Sequence, residues 1–274
     1  MDRPVVFDGG RLLGILSEPA QKADRPCLLI LNAGLIYRVG PARLSVELAR
    51  AAEEARFASF RFDISGFGDS EPRTVPLGPV ESAVADAKLA MDHLARHFGY
   101  ERFVLAGLCS GATQSHHVAV ADERVVGAVL VDGYVFPTLR SPLRLTYLAL
   151  RHAWRSLRRR SQPAAPAAAA AAMFPWPSRS QVSSDLGLLH DRGVELLYVF
   201  SGEWAGYRYA GQMVDTFRDV AHGPRLVEKR NDRAEHLHLD RASREELLGA
   251  VRDWLEARPW ADAENTAAES PTGG

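Results

Sequence analysis

The chain has 274 residues, of which 46% are hydrophobic and 24% charged, with a formal net charge of -1. That balance suits one large globular domain with a sizeable core and excludes a strongly charged surface that recruits nucleic acid or an anionic membrane. Two cysteines, Cys27 and Cys109, are too few for a disulfide framework, and no apolar run reaches the roughly 18 residues of a membrane span, so the expected location is the cytoplasm.

Short apolar runs alternate with longer helical stretches, the pattern of a mostly parallel sheet covered on both faces. Residues 5–7 and 11–16, split by Gly9-Gly10, predict an antiparallel hairpin. Residues 26–32 read as an apolar strand ending at Ala33-Gly34. Helical spacing over 41–55 puts Leu44, Leu48, Ala51 and Ala52 on one face. A strand at 57–62 runs into the Gly-rich loop Asp63 to Ser70, and 80–97 is an amphipathic helix carrying Val84, Ala87, Ala90 and Leu94. A strand at 102–106 is followed at once by Gly107-Leu108-Cys109-Ser110-Gly111 and a helix of small residues. Strands at 124–132, 195–201 and 225–228 and a helix at 241–256 complete a single domain over 1–256. Residues 257–274 are polar and are expected to be disordered.

Residues 134–190 stand apart. Arg140, Arg144, Arg151, Arg155 and Arg158 to Arg160 lie on a helical run, followed by an alanine stretch broken by Pro166. An insertion here sits over the carboxyl ends of the strands, where α/β sheets bind ligands, and reads as a helical lid. The arginines either face solvent or meet an acidic carrier protein or a coenzyme A phosphate. No aromatic platform accompanies them, so nucleic acid is not an expected partner. Nothing in the pattern fixes the oligomeric state.

The central motif is Gly107-x-Cys109-x-Gly111 between a strand and a helix. A sharp strand-to-helix turn lifts its middle side chain above the sheet, and glycines two residues either side allow the backbone to pass closely. That geometry selects Cys109 over Ser110, whose corresponding neighbours are Leu108 and Ala112. It also places the sulfur at a helix N-terminus, where free N–H groups stabilise negative charge. The bland alternative is an inert buried cysteine in a Gly-rich turn. Cys27, within an apolar strand, reads as packing.

At these residues the chain resembles the α/β-hydrolase superfamily, over nearly its whole length. Asn32-Ala33-Gly34-Leu35 stands where that family has its oxyanion loop, Asp63 to Ser70 looks like its D-x-x-G-x-G-x-S loop, and Ala234-Glu235-His236 stands where it often reads A-D-H. Tyr37-Arg38-Val39-Gly40, Arg61-Phe62-Asp63 and Gly107-Leu108-Cys109 are similar, more narrowly, to hydrolases associated with exosortase A systems. The resemblance implies an eight-stranded α/β-hydrolase fold and a nucleophile, acid, histidine order. His236 and His238 both qualify as base, and the Ala-Glu-His match favours His236. Glu203, the first carboxylate after the strand 195–201, is the expected acid, with Asp132 as the alternative. The family's usual aspartate would fall one or two places beyond Glu203, where Trp204 and Ala205 stand. The N–H groups of Ser110 and Leu35 are the expected oxyanion hole. Arg38 either pairs with Asp63 or holds a substrate carboxylate. Phe174 and Trp176 either line an acyl pocket or pack on the body of the fold. No metal or cofactor is expected, and adjacent His116 and His117 cannot share a helix face. The expected activity is thiol-dependent hydrolysis or acyl transfer on an ester or thioester, small or carrier-bound. The alternative is a catalytically inactive relative that binds a ligand or partner.

Overall fold

The computed structural model describes residues 2–21, 23–138, 174–202, 204, 206–220 and 223–260. The expected lid arginines, the alanine stretch and Glu203 lie outside the described residues. Strands β1 (Asp2–Phe7) and β2 (Leu12–Ser17) form the expected hairpin, Phe7 pairing with Leu12. Then come β3 (Cys27–Ile30), α1 (Leu44–Glu54), β4 (Ser59–Phe62), α2 (Pro79–Phe98), β5 (Phe103–Leu108), α3 (Ser110–Ala121) and β6 (Val125–Val131). After the undescribed stretch follow α4 (Arg179–Asp191), β7 (Glu195–Ser201), the short α5 (Gln212–Thr216), β8 (Leu226–Asn231) and α6 (Arg241–Ala257).

These eight strands make one sheet in the order β1-β2-β4-β3-β5-β6-β7-β8. The two pairs made by β2 are antiparallel and every other pair is parallel. Every residue of β3, β5 and β7 is buried, as a parallel sheet with helices on both faces requires. One face packs Ala87, Ala90 and Leu94 of α2, Val118 and Ala119 of α3, and Val182 and Leu189 of α4. The other packs Leu44, Leu48 and Ala52 of α1 against Leu247, Val251 and Trp254 of α6. No helix among the described residues is long and apolar enough to cross a membrane.

Two boundaries differ from the sequence expectation. The end of the segment read as a lid is α4, which packs on α3 and covers the sheet. Its apolar residues Val182, Leu186 and Leu189 are buried, and that is why it belongs to the core. Trp260, read as part of a disordered tail, is buried and meets Phe57 and Trp254 edge-on at centroid distances of 5.9 and 5.3 Å. The polar composition beyond it hid one aromatic anchor.

Parallel strands bring the carboxyl ends of β3, β5, β6, β7 and β8 to one edge, and the turn after β5 is the tightest point there. A Cβ on Gly107 would lie 2.1 Å from the carbonyl carbon of Gly111. Gly107→Ala is therefore expected to destabilise the protein by about 2–4 kcal/mol. Gly187 of α4 has nothing within 4 Å of such a Cβ, so Gly187→Ala is expected to stabilise by about 0.5–1 kcal/mol through helix propensity. Urea unfolding of the two variants beside the parent checks both signs.

Candidate active site

Cys109 sits between β5 and α3 with φ 59° and ψ -116°, a conformation that costs a non-glycine residue about 1–3 kcal/mol and persists only when its surroundings impose it. They do. Its N–H donates to the Val131 carbonyl at 2.8 Å, and its carbonyl accepts from Ala112 and Thr113, starting α3. The thiol is partly exposed, whereas Cys27 is fully buried in β3. Ser110 is buried, and its hydroxyl accepts the Gly34 N–H at 2.7 Å. That bond ties the loop carrying Leu35 to the turn. Ser110 also begins the helix, where N–H groups have no intrahelical acceptor.

The same loop is anchored from below. The Asn32 side chain donates to Ile36 O at 3.0 Å and to Asp63 at 3.2 Å, and accepts from Ile64 N–H at 3.0 Å. Arg38 places its guanidinium on Asp63 and, at 2.6 Å, on Asp69. Of the two roles expected for Arg38, its contacts match the structural one.

The carboxylate brought to His236 is Asp132, at the end of β6. Its φ is 47°, and its N–H donates to Val199 O at 2.9 Å. Fully buried, it accepts the Ser201 N–H at 2.7 Å, the Ser201 hydroxyl at 2.6 Å and His236 Nδ1 at 2.9 Å. With Nδ1 donating, Nε2 is the nitrogen left for the sulfur. Burial disfavours a charged ring, but the hydrogen bond to Asp132 and the neighbouring Cys109 outweigh it and push His236 up to about 9. His238, the other expected base, is not an exposed loop residue. Its side chain is fully buried at φ 51°, with neither ring nitrogen bonded among the described residues.

One neighbour escapes the sequence reading. Trp204 lies face to face with His236, ring centroids 4.5 Å apart and planes 20° from parallel. Trp176, 41% exposed, packs on Trp204 at 5.9 Å, while Phe174 is buried in the core. The only hint in the sequence was an aromatic residue where the resemblance placed an acid. Beneath the site, His116 of α3 meets Asp185 of α4 at 2.8 Å and the Tyr134 hydroxyl at 2.8 Å, which meets that of Tyr198 in β7 at 2.8 Å.

Among the described residues, no group of three or more His, Cys, Asp or Glu side chains stands together as a metal cage would. His93 and His97 do face each other on α2, centroids 4.3 Å apart, a four-residue spacing that the sequence reading passes over.

The sheet order, the strained turn before α3 and the residues gathered around it define an α/β-hydrolase. The family described as "Serine aminopeptidase, S33" matches residues 41–183, just over half of the chain, and the chain belongs to it. That description names serine, whereas the turn here holds cysteine. Among solved structures, an esterase of Pyrococcus furiosus is 12% identical with a TM-score of 0.64, the match covering 95% of this chain and 90% of that one. A thioesterase domain from the curacin biosynthetic pathway is 14% identical with a TM-score of 0.59, covering 93% and 98%. An Agrobacterium tumefaciens protein described as a putative α/β-hydrolase is 14% identical with a TM-score of 0.60, covering 93% and 95%. At these identities the likeness is one of fold. No curated protein matches the sequence.

The raised His236 gives a pH-dependent stability. Its folded value of about 9 lies above the ordinary 6.5, so the contribution is fully present below pH about 6.5 and is lost as pH rises through 9. Relative to His236→Gln, the parent should gain on the order of 2–3 kcal/mol at pH 6.5, allowing for partial exposure, and little at pH 10. Urea unfolding of both proteins at each pH measures the difference.

Proposed function

We propose that this protein is a thiol-dependent hydrolase or acyltransferase that forms an acyl-enzyme on Cys109. The observation that carries the reading is that Asp132 holds His236 Nδ1 at 2.9 Å while Cys109 acts on the same ring. The thiol proton passes to His236 Nε2, a transfer favoured by the raised basicity of the ring, and the sulfur attacks the acyl carbonyl. The N–H groups of Ser110 and Leu35 receive the oxyanion. His236 returns the proton to the leaving alcohol or thiol. Water or another acceptor, deprotonated by the same ring, then releases the acyl group. Asp132, rather than Glu203, orients the base in this scheme.

Two features narrow the donor. An acyl group moves from a thioester to a cysteine with little change in free energy, whereas from an oxygen ester it moves uphill, so thioesters are the expected donors. Large apolar side chains stand exposed on the loops that carry the site, Leu35 and Tyr37 after β3 and Leu239 after His236, with Trp176 on Trp204. They suit an apolar acyl chain.

Intact-mass detection of an adduct tests the scheme, using apolar acyl thioesters and esters, free and on an acidic carrier. The adduct should form on the parent and on Cys27→Ala, and be absent from Cys109→Ala, whose turnover falls about 10³-fold or more. Ser110→Ala should fold and keep measurable turnover, because it loses the bond to Gly34 but not its own N–H. Asp132→Asn should lose at least about 10²-fold. A parent protein that forms no adduct and turns over no donor would be a binding relative of the hydrolases instead.

A further inference from the structure

We propose that Trp204 is a positioning residue, whose indole face holds the His236 ring in line between Asp132 and Cys109 and favours its cationic form. The proposal rests on the reading above only for what that ring does in turnover.

The geometry is specific. An imidazole held only through Nδ1 swings about that bond, and a parallel face at 4.5 Å limits the swing. The indole is itself fixed, because its N–H donates to Gly133 O at 2.8 Å, on the residue next to Asp132. Its backbone N–H donates to Ser201 O at 3.2 Å, closing a turn off β7. Ser201 is also the residue that gives Asp132 two of its hydrogen bonds. One short turn thus braces the acid through Ser201 and the base through Trp204. Gly202 lets that turn lie flat on the base-bearing loop, since a Cβ there would stand 2.2 Å from Asp232 O. The resemblance placed an acid at or beside position 204. With the carboxylate supplied from β6, the β7 turn is free to present an aromatic face.

An aromatic face carries negative potential and attracts a cation stacked on it. The titratable groups that meet His236 among the described residues are Asp132 from the loop after β6 and Cys109 from the turn after β5. On its own loop, the Glu235 carboxylate is occupied by the N–H groups of Leu237 and Leu239. Trp204 adds an uncharged contribution of the same sign as that of Asp132.

The test needs no substrate. In full-length protein labelled with ¹³C-histidine, the His236 signal is assigned by its loss in His236→Gln and titrated from pH 5 to 11. Trp204→Leu should lower its midpoint by about one unit, a tenfold change in proton affinity. Trp204→Phe, which keeps an aromatic face, should recover most of that shift. Trp204→Met replaces the leucine variant if that protein does not fold. Coincident midpoints in the parent and the leucine variant, or equal shifts for phenylalanine and leucine, would overturn the proposal and reduce Trp204 to packing. A parent that titrates as expected but hydrolyses nothing would remove the hydrolase reading and leave the stack standing. Where turnover is measured, the acidic variant-dependent shift should appear in the pH profile of kcat/KM, with KM at the optimum changed less than kcat.

Discussion

A buried carboxylate with no solvent has to be satisfied from within, and the Asp132 side chain is such a group. Its charge is met by two donors from Ser201, at the end of β7, and by His236, beyond β8. Those donors come from neighbouring strands because the sheet is parallel there and its carboxyl ends share an edge. Removing any of them would leave an ion with part of its solvation missing, so two separate stretches of chain are held to one atom group. The left-handed backbone at Asp132 and the strained one at Cys109 persist under that constraint. Cys109 bonds to the residue before Asp132, and Asp132 bonds to β7, so the strain is shared along one run of main-chain contacts.

Two braces hold this edge from opposite sides. On the β3 side, Asn32, Arg38 and Asp63 fix the loop that carries Leu35, and Ser110 pins that loop to the turn. Beneath the sheet, the chain of hydroxyl and imidazole contacts from Tyr198 through Tyr134 and His116 to Asp185 joins β7, the segment after Asp132, α3 and α4. Every hydrogen bond in that chain is buried, where the low dielectric strengthens a satisfied network and penalises a broken one. Cys109 and Asp132 thus stand directly at the ends of buried strands, and His236 is tied to them through Asp132.

The parts legible in the sequence are those that repeat with a period or need a particular backbone. Apolar runs and helical stripes marked all eight strands and the faces of α1, α2 and α6, most plainly where burial is complete, as in β3, β5 and β7. Gly107 and Gly111 marked the turn, because only glycine tolerates that approach. The carboxylate that meets His236 was harder. Carboxylates at 132 and 203 both follow strands, and sequence order does not reveal that β6 and β7 end side by side with Ser201 aimed at Asp132. His236 and His238 are two residues apart on one loop, and only the fold turns one toward Asp132 and the other into the interior. Trp204 had no pattern to announce it, since ring stacking depends on two loops meeting in space. The five-residue α5 was too short for a periodic signal.

The chain has only two sulfhydryl groups, and the fold separates them by access: Cys27 is sealed within β3, while Cys109 opens at the sheet edge. A colorimetric thiol reagent applied to the folded protein therefore titrates the Cys109 thiol, one equivalent per folded chain, without any knowledge of the substrate. An unfolded chain offers both thiols at once, so the equivalents released only on denaturation count the folded chains, and half of the final total counts all chains in the same cuvette. The protein carries its own internal standard for the fraction of molecules that are correctly folded.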